Sequence, residues 1–196
     1  MILNSIVFGV SYFFSLLGVA SEKNRLGYFY ESGFGVKSDH GKAHYWYERA
    51  AKKGDVRAWS NLGRLYEHAG DDLNSDLGKA IFCYTKAADG GHLWSQNSLG
   101  VIYSNPDYGM IDYIKSVKWF SSAAERGYGW SIFNLSLMYA NGNGVDKDQN
   151  KAFYLLLIAA QKKVDGASAN LKYFYDLGWG DPADRKTASQ FFSSSN

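Results

Sequence analysis

The chain has 196 residues, 46% of them hydrophobic and 20% charged, which excludes a disordered polypeptide and supplies apolar surface for one domain or one repeat array. Its 21 basic and 19 acidic side chains leave a formal net charge of +2, so the basic footprint of a nucleic-acid-binding protein is absent. The single cysteine, Cys83, excludes an internal disulfide and a cysteine-based zinc cluster.

The first predicted element is the apolar segment Ile2 to Ala20, which holds no charged side chain. Gly18-Val19-Ala20 before Ser21 places small residues where a signal peptidase needs them, although no Lys or Arg precedes the apolar run. Read this way, residues 1–20 are a signal peptide or anchor. The mature chain then lies in the periplasm or cell envelope, with membrane contact only through residues 1–20 if they are not cleaved. The alternative rests on Gly18, which lies eight residues before Leu26 as Gly54 lies eight before Leu62. Residues 1–20 are then a degenerate capping helix on a cytoplasmic protein, with Phe14 where later helices carry a close-packed alanine.

From Leu26 onward the sequence repeats itself. Leu26-Gly27-Tyr28-Phe29-Tyr30 returns as Leu62-Gly63-Arg64-Leu65-Tyr66, Leu99-Gly100-Val101-Ile102-Tyr103, Leu135-Ser136-Leu137-Met138-Tyr139 and Leu171-Lys172-Tyr173-Phe174-Tyr175, with leucine spacings of 36 or 37 residues. Between these segments Ala50-Ala51, Ala87-Ala88, Ala123-Ala124 and Ala159-Ala160 keep step. Small residues (Ala43, Ala80, Ser116, Ala152) stand seven positions before each first alanine, and Trp46, Cys83, Trp119 and Leu155 stand four before it, the stripe of an amphipathic helix. Gly54, Gly90-Gly91 and Gly127 close three of these helices. Gly63, Gly100 and the alanine pairs let backbones approach closely, while the repeated tyrosines and tryptophans are expected to fill the gaps between layers. One such helix pair cannot bury its apolar face alone. The prediction is an all-α, right-handed α-solenoid of about five helix-loop-helix repeats over residues 21–192, starting near 26, 62, 99, 135 and 171. Phe191-Phe192 finish the last apolar stripe, and residues 193–196 form a frayed tail.

The run from Leu26-Gly27 through Tyr30-Glu31-Ser32-Gly33-Phe34-Gly35-Val36, with Lys42-Ala43, Trp46-Tyr47-Glu48-Arg49-Ala50-Ala51 and Gly54, resembles the Sel1-like repeat. That family is related to tetratricopeptide repeats and has a longer inter-helix loop. Residues 135–170 match equally well, through Gly142-Asn143-Gly144-Val145 and Lys151-Ala152. Residues 70–78 lack the Gly-x-Gly turn, and residues 104–112 carry Asn105-Pro106-Asp107 instead. The resemblance implies a protein-binding adaptor without catalytic residues. Proteins with this repeat often serve in the bacterial envelope, signalling or secretion, some of them as immunity proteins against secreted effectors.

Residue chemistry agrees with a non-enzyme. His40 and His44 share a helical spacing suited to a metal, but no glutamate lies between them and no third ligand is evident. Asp146-Lys147-Asp148-Gln149-Asn150 lacks the glycine of a calcium loop and has Leu157 where a glutamate is needed. Gly33-Phe34-Gly35 follows a helix instead of a strand, so it is no nucleotide loop. Asp71-Asp72 read as solvated loop residues, Cys83 takes the core position of Trp46, and the glycosylation triplet at Asn134 straddles a core leucine. No cofactor or metal is implied.

The remaining candidate is a binding surface. At 100° per residue, positions −5, −2, +2 and +5 from each repeat leucine fall opposite the core, on the side expected to be concave. They are Ser21, Asn24, Tyr28 and Glu31; Arg57, Ser60, Arg64 and Glu67; Trp94, Asn97, Val101 and Ser104; Trp130, Phe133, Leu137 and Ala140; and Tyr173 with Asp176. Trp94, Val101, Trp130, Phe133 and Leu137 make an apolar block flanked by Arg57 and Arg64, the composition of interface hot spots, with Tyr28 and Tyr173 at its ends. The alternative is that these rings lie between adjacent helices as core. The expected function is a non-enzymatic module holding a protein partner in this aromatic groove, as an adaptor or an immunity protein. A structural scaffold of the cell envelope, binding a larger assembly or a cell-wall polymer, is the alternative. Pairing through end helices leaves the oligomeric state open.

Overall fold

The computed structural model describes residues 2–68 and 76–194. The chain is all-helical over these residues: α1 (Ile2–Leu16), α2 (Ala20–Ser32), α3 (His40–Ala51), α4 (Val56–Glu67), α5 (Leu77–Asp89), α6 (Leu93–Ser104), a short 3-10 helix (Pro106–Tyr108), α7 (Tyr113–Glu125), α8 (Gly129–Asn141), α9 (Gln149–Gln161), α10 (Ala167–Asp176) and α11 (Pro182–Ser194). The even-numbered helices carry the repeat leucines and are the first helices of the repeats; α3, α5, α7, α9 and α11 are the second helices. The expected solvated pair Asp71-Asp72 lies outside the described residues, as do residues 195 and 196 of the expected tail. Residues 193 and 194 continue α11.

One device starts four of the second helices. Asp39, Asp76, Asp112 and Asp148 are N-caps whose side chains accept a hydrogen bond from the backbone N–H of Lys42, Lys79, Lys115 and Lys151 at 2.8–3.0 Å. Each aspartate's own N–H donates to the carbonyl of the repeat tyrosine, Tyr30, Tyr66, Tyr103 or Tyr139. The same lysines then lay their ammonium groups over those tyrosine rings, at 5.5, 5.4, 5.2 and 4.2 Å from the centroids. In the fifth repeat Arg185 lies over Tyr175 and donates to its carbonyl. The repeat tyrosines are therefore half-buried platforms for a cation, not the interior knobs the sequence suggested. Their ring positions are set by the loop as much as by the helix.

The chain forms two compact units, residues 1–95 and 96–196. In the first, Leu26, Phe29 and Trp46 form one buried cluster, and Ala43, Tyr47, Ala50, Ala51, Ala58, Leu62, Leu65 and Cys83 form another. Glycine is required where the first helix meets the second. A Cβ on Gly27 would stand 2.5 Å from Tyr47 Cε1, and one on Gly63 would stand 2.5 Å from Tyr84 Cε1. In the second unit Gly100 faces Phe120 in the same way, and the core runs through Phe120, Leu135 and Met138 and then through Ile132, Phe153, Leu156, Leu157, Leu171 and Phe174. The exit turns of the second helices place Gly54, Gly91 and Gly127 in the left-handed region at φ 88°, 83° and 81°. The fourth such turn puts Lys163 there at φ 58°.

Candidate protein-binding surface

The expected surface residues divide between the two units. In the first unit Tyr28 is 53% exposed, Arg57 is exposed, and Arg64 and Trp94 are half-buried. Tyr28 and Arg57 meet Ser21, Glu22, Asn24, Arg25 and Asn61 around an open cleft of about 420 Å³. Across its floor Asn61 Nδ2 donates to Asn24 Oδ1 at 2.9 Å, which leaves amide donors and acceptors of the kind a peptide main chain presents. Arg57 is held only loosely, its Nε 3.7 Å from the carboxylate of Asp55, the N-cap of α4.

Arg64 is committed to the fold instead. Its Nη2 donates to Glu31 Oε2 at 2.6 Å, and the Tyr47 hydroxyl donates to the same oxygen at 2.7 Å. Burial and the adjoining carboxylate raise the Tyr47 phenol far above its usual range, so it stays a proton donor at all accessible pH. Tyr84 repeats the arrangement, donating to Glu67 Oε2 at 2.5 Å. Trp94 stands edge-on to Tyr84, with ring centroids 5.5 Å apart.

In the second unit Trp130 is 42% exposed and stands perpendicular to Phe133 at 6.2 Å. Phe133 and Val101 are half-buried, packed against the core clusters of that unit, and Leu137 is half-buried as well. Tyr173 is 60% exposed. Trp130 also borders a shallow cleft of about 410 Å³ with Lys162, Lys163, Val164 and Asp165.

Two positions expected on the open side are buried, Ser60 and Ala140. Ser60 accepts from Ser95 Oγ at 3.0 Å, because the −2 position faces the first helix of the next repeat and not solvent. The same geometry makes the amide pair Asn24–Asn61, and again Asn97–Asn134, where Asn134 Nδ2 donates to Asn97 Oδ1 at 3.0 Å. Asn61 and Asn134 were not foreseen as surface-forming residues. Their signal was an asparagine recurring 37 residues after another one, one place closer to the leucine.

His44 pairs with Tyr66 through Nε2 at 2.6 Å, and burial holds its imidazole below the usual histidine range, so it is neutral and occupied at neutral pH. Among the described residues no group of three or more His, Cys, Asp or Glu side chains converges on a metal position.

The Sel1 repeat family model matches residues 23–55, 60–92, 95–128 and 131–164. A search of the curated proteins found no significant match. Among solved structures the chain is similar to a protective antigen present in uropathogenic Escherichia coli strains and displaying an SLR fold, at 29% identity and a TM-score of 0.79 over 89% of this chain. It spans 36% of that antigen's length. A Sel1 repeat protein from Oxalobacter formigenes is 31% identical, with a TM-score of 0.75 over 85% of this chain and 67% of its own. An immunity protein from Pseudomonas aeruginosa shares the fold, at 15% identity and a TM-score of 0.55 over 97% of this chain and 74% of its own. The all-α solenoid class predicted from the repeats is that of these relatives.

Proposed function

We propose that this chain, which belongs to the Sel1 repeat family, is a non-enzymatic module that binds a protein partner along the open faces of its first helices. Sel1 repeats mediate protein–protein interaction, and one observation carries the reading to particular residues. Tyr28 and Trp130, 53% and 42% exposed, border open clefts of about 420 and 410 Å³ respectively, and Tyr173 is 60% exposed. Tyr45, Phe82 and Tyr154 on the second helices are exposed to a similar degree. Exposed aromatic rings beside a loosely held arginine are what interface anchors are made of. The partner's main chain would meet the Asn24–Asn61 amides in the first unit, and its apolar side chains would meet Trp130 and Phe133 in the second.

The finer role we propose is an adaptor, or an immunity protein that neutralises a secreted effector; the Pseudomonas aeruginosa protein of the same fold is described as an immunity protein. It operates in the periplasm or envelope if residues 1–20 are removed as a signal peptide, and in the cytoplasm if they are retained. The test is affinity capture from native lysate with the full chain and with two variants, Tyr28→Ala/Arg57→Ala and Trp130→Ala/Tyr173→Ala. One stoichiometric protein, lost in either variant while circular dichroism is unchanged, is the expected result; its enzymatic activity then shows whether binding inhibits it. A partner retained by both variants would move the interface elsewhere. Retention on a cell-wall polymer with no protein partner would favour the envelope scaffold.

A further inference from the structure

α1 has the surroundings of a second helix. It ends at Gly18 with φ 92°, where the Gly18 N–H donates to Ser15 O at 3.1 Å and the Val19 N–H to Phe14 O at 3.5 Å. α3 ends at Gly54 with φ 88° and the same two bonds, to Ala51 at 2.9 Å and from Asp55 to Ala50 at 3.1 Å. The other end of α1 repeats the register independently. A Cβ on Gly35 would stand 2.6 Å from the Asn4 carbonyl carbon, and one on Gly144 would stand 2.5 Å from that of Tyr113. Asn4 precedes Gly18 by 14 residues, and Tyr113 precedes Gly127 by 14. α1 packs inward accordingly, Phe8 edge-on to Tyr30 at 5.5 Å and Tyr12 edge-on to Trp46 at 6.0 Å.

The shared register allows a comparison of outer faces. Ile6, Phe13 and Leu16 of α1 and Leu17 of its turn stand where α3 and its turn carry Lys42, Arg49, Lys52 and Lys53. They are 57%, 59%, 66% and 65% exposed. Val10 and Phe14, at the places of the buried Trp46 and Ala50, are 50% and 44% exposed. Where α3 and its turn face outward with cations, α1 faces outward with exposed apolar side chains, the kind of face that marks an interaction site.

We propose that a second copy of this chain covers it, α1 packing antiparallel on α1 about a twofold axis. The stripe Ile6, Val10, Phe13, Leu17 is spaced four, three and four residues, the seam of a helix–helix pair. A twofold contact must be complementary to itself, and residues 2–21 bring no charge that would meet its own like. A lipid surface fits less well. No described helix is long and apolar enough to cross a membrane. An interfacial helix uses lysines and arginines along its flank, and α1 has none. The dimer requires that residues 1–20 stay on the chain, and it does not depend on which partner the first-helix faces bind.

The test is sedimentation equilibrium of the untagged full chain, with its N-terminus checked by mass spectrometry. A species of twice 21.9 kDa is expected at micromolar concentration. Val10→Glu and Phe13→Glu, both at solvent-exposed positions, should weaken the association more than tenfold with unchanged circular dichroism. Ile114→Glu, at a 74% exposed isoleucine elsewhere, should leave the dimer intact. A monomeric parent chain would overturn the proposal. So would dimers that persist in both α1 variants, a chain cleaved after Ala20, or a monomer that floats with phosphatidylcholine vesicles.

Discussion

Replacing Gly100 with alanine is the sharpest probe of how the repeats pack. The new Cβ would stand 2.5 Å from Phe120 Cδ1 and 2.9 Å from Cζ, against about 3.5–4.0 Å for carbon atoms at rest. Phe120 is 1% exposed, so the ring has no solvent to retreat into and must displace its neighbours Leu135 and Met138. Overpacking of this severity belongs at the upper end of the usual range, about 3 kcal/mol. Better helix propensity returns roughly 1 kcal/mol, for a net loss of about 2 kcal/mol. With an urea slope of about 2 kcal/mol/M, the unfolding midpoint should fall by about 1 M. Phe120→Leu opens a small cavity of its own, but the double variant should be more stable than the sum of the two single effects by at least about 1 kcal/mol. The chain already holds that combination in kind, since the fourth repeat places Ser136 and Leu156 at these positions, both buried. An alanine variant as stable as the parent, or a strictly additive cycle, would refute the reasoning.

Lys163→Gly should stabilise the second unit by about 0.5–1 kcal/mol, because relief of a left-handed non-glycine outweighs the added freedom of the unfolded chain, and urea titration reads it directly. Asp39, Asp76 and Asp112 have carboxyls held below the usual aspartate range, first by the backbone N–H of Lys42, Lys79 and Lys115 and then by those lysines' ammonium groups. Their contribution is therefore complete above the unfolded aspartate pKa, near pH 4, and is lost as pH falls through the lowered folded values. The triple Asp→Asn variant, which still caps, should show a flatter fall of melting temperature below pH 4. Burial pushes the Cys83 thiol up to about 12, so an aromatic disulfide reagent at pH 8 should modify it in urea and leave the native chain untouched. Rapid labelling of folded protein would contradict the buried position.

The helices of the first four repeats were legible because they carry two signals that agree, an apolar stripe and a small residue where backbones touch. α10 has Lys172 at that place. Gly54, Gly91 and Gly127 marked their turns for the same reason, while Lys163 shows that the left-handed bend is imposed by the repeat even where the residue does not favour it. The 3-10 helix at Pro106–Tyr108 was hidden, because it depends on Asn105 accepting from the Asp107 N–H and not on periodicity. Gly178 and Gly180, both at positive φ, follow Leu171 by seven and nine residues as Gly33 and Gly35 follow Leu26; spacing alone would have extended the loop motif to the fifth repeat. A wheel drawn on one helix had no neighbour to consult. It therefore put Ser60 in solvent, and it could not see that Asn24 and Asn61 share a hydrogen bond.

The repeats also serve as one another's mutants. Where the second helix presents a tyrosine to the first, at Tyr47 and Tyr84, the position five after the repeat leucine is glutamate, and each carboxylate, 13% and 9% exposed, accepts a hydrogen bond from the phenol. Where the ring loses its hydroxyl, as Phe120, the acid becomes Ser104; where the ring itself is lost, as Leu156, it becomes Ala140. A carboxylate at this depth costs several kcal/mol unless donors meet it, so acid and hydroxyl must come and go together. The consequence reaches the proposed binding surface. In the first unit Glu31 and Arg64 are held by each other, and Glu31 and Glu67 by the buried phenols. The second unit carries Val101, Ser104, Leu137 and Ala140 at the equivalent positions, with Tyr28 as the remaining counterpart. A segment held on the first unit should therefore offer polar main chain to the Asn24–Asn61 amides, and one held on the second unit by itself should be apolar.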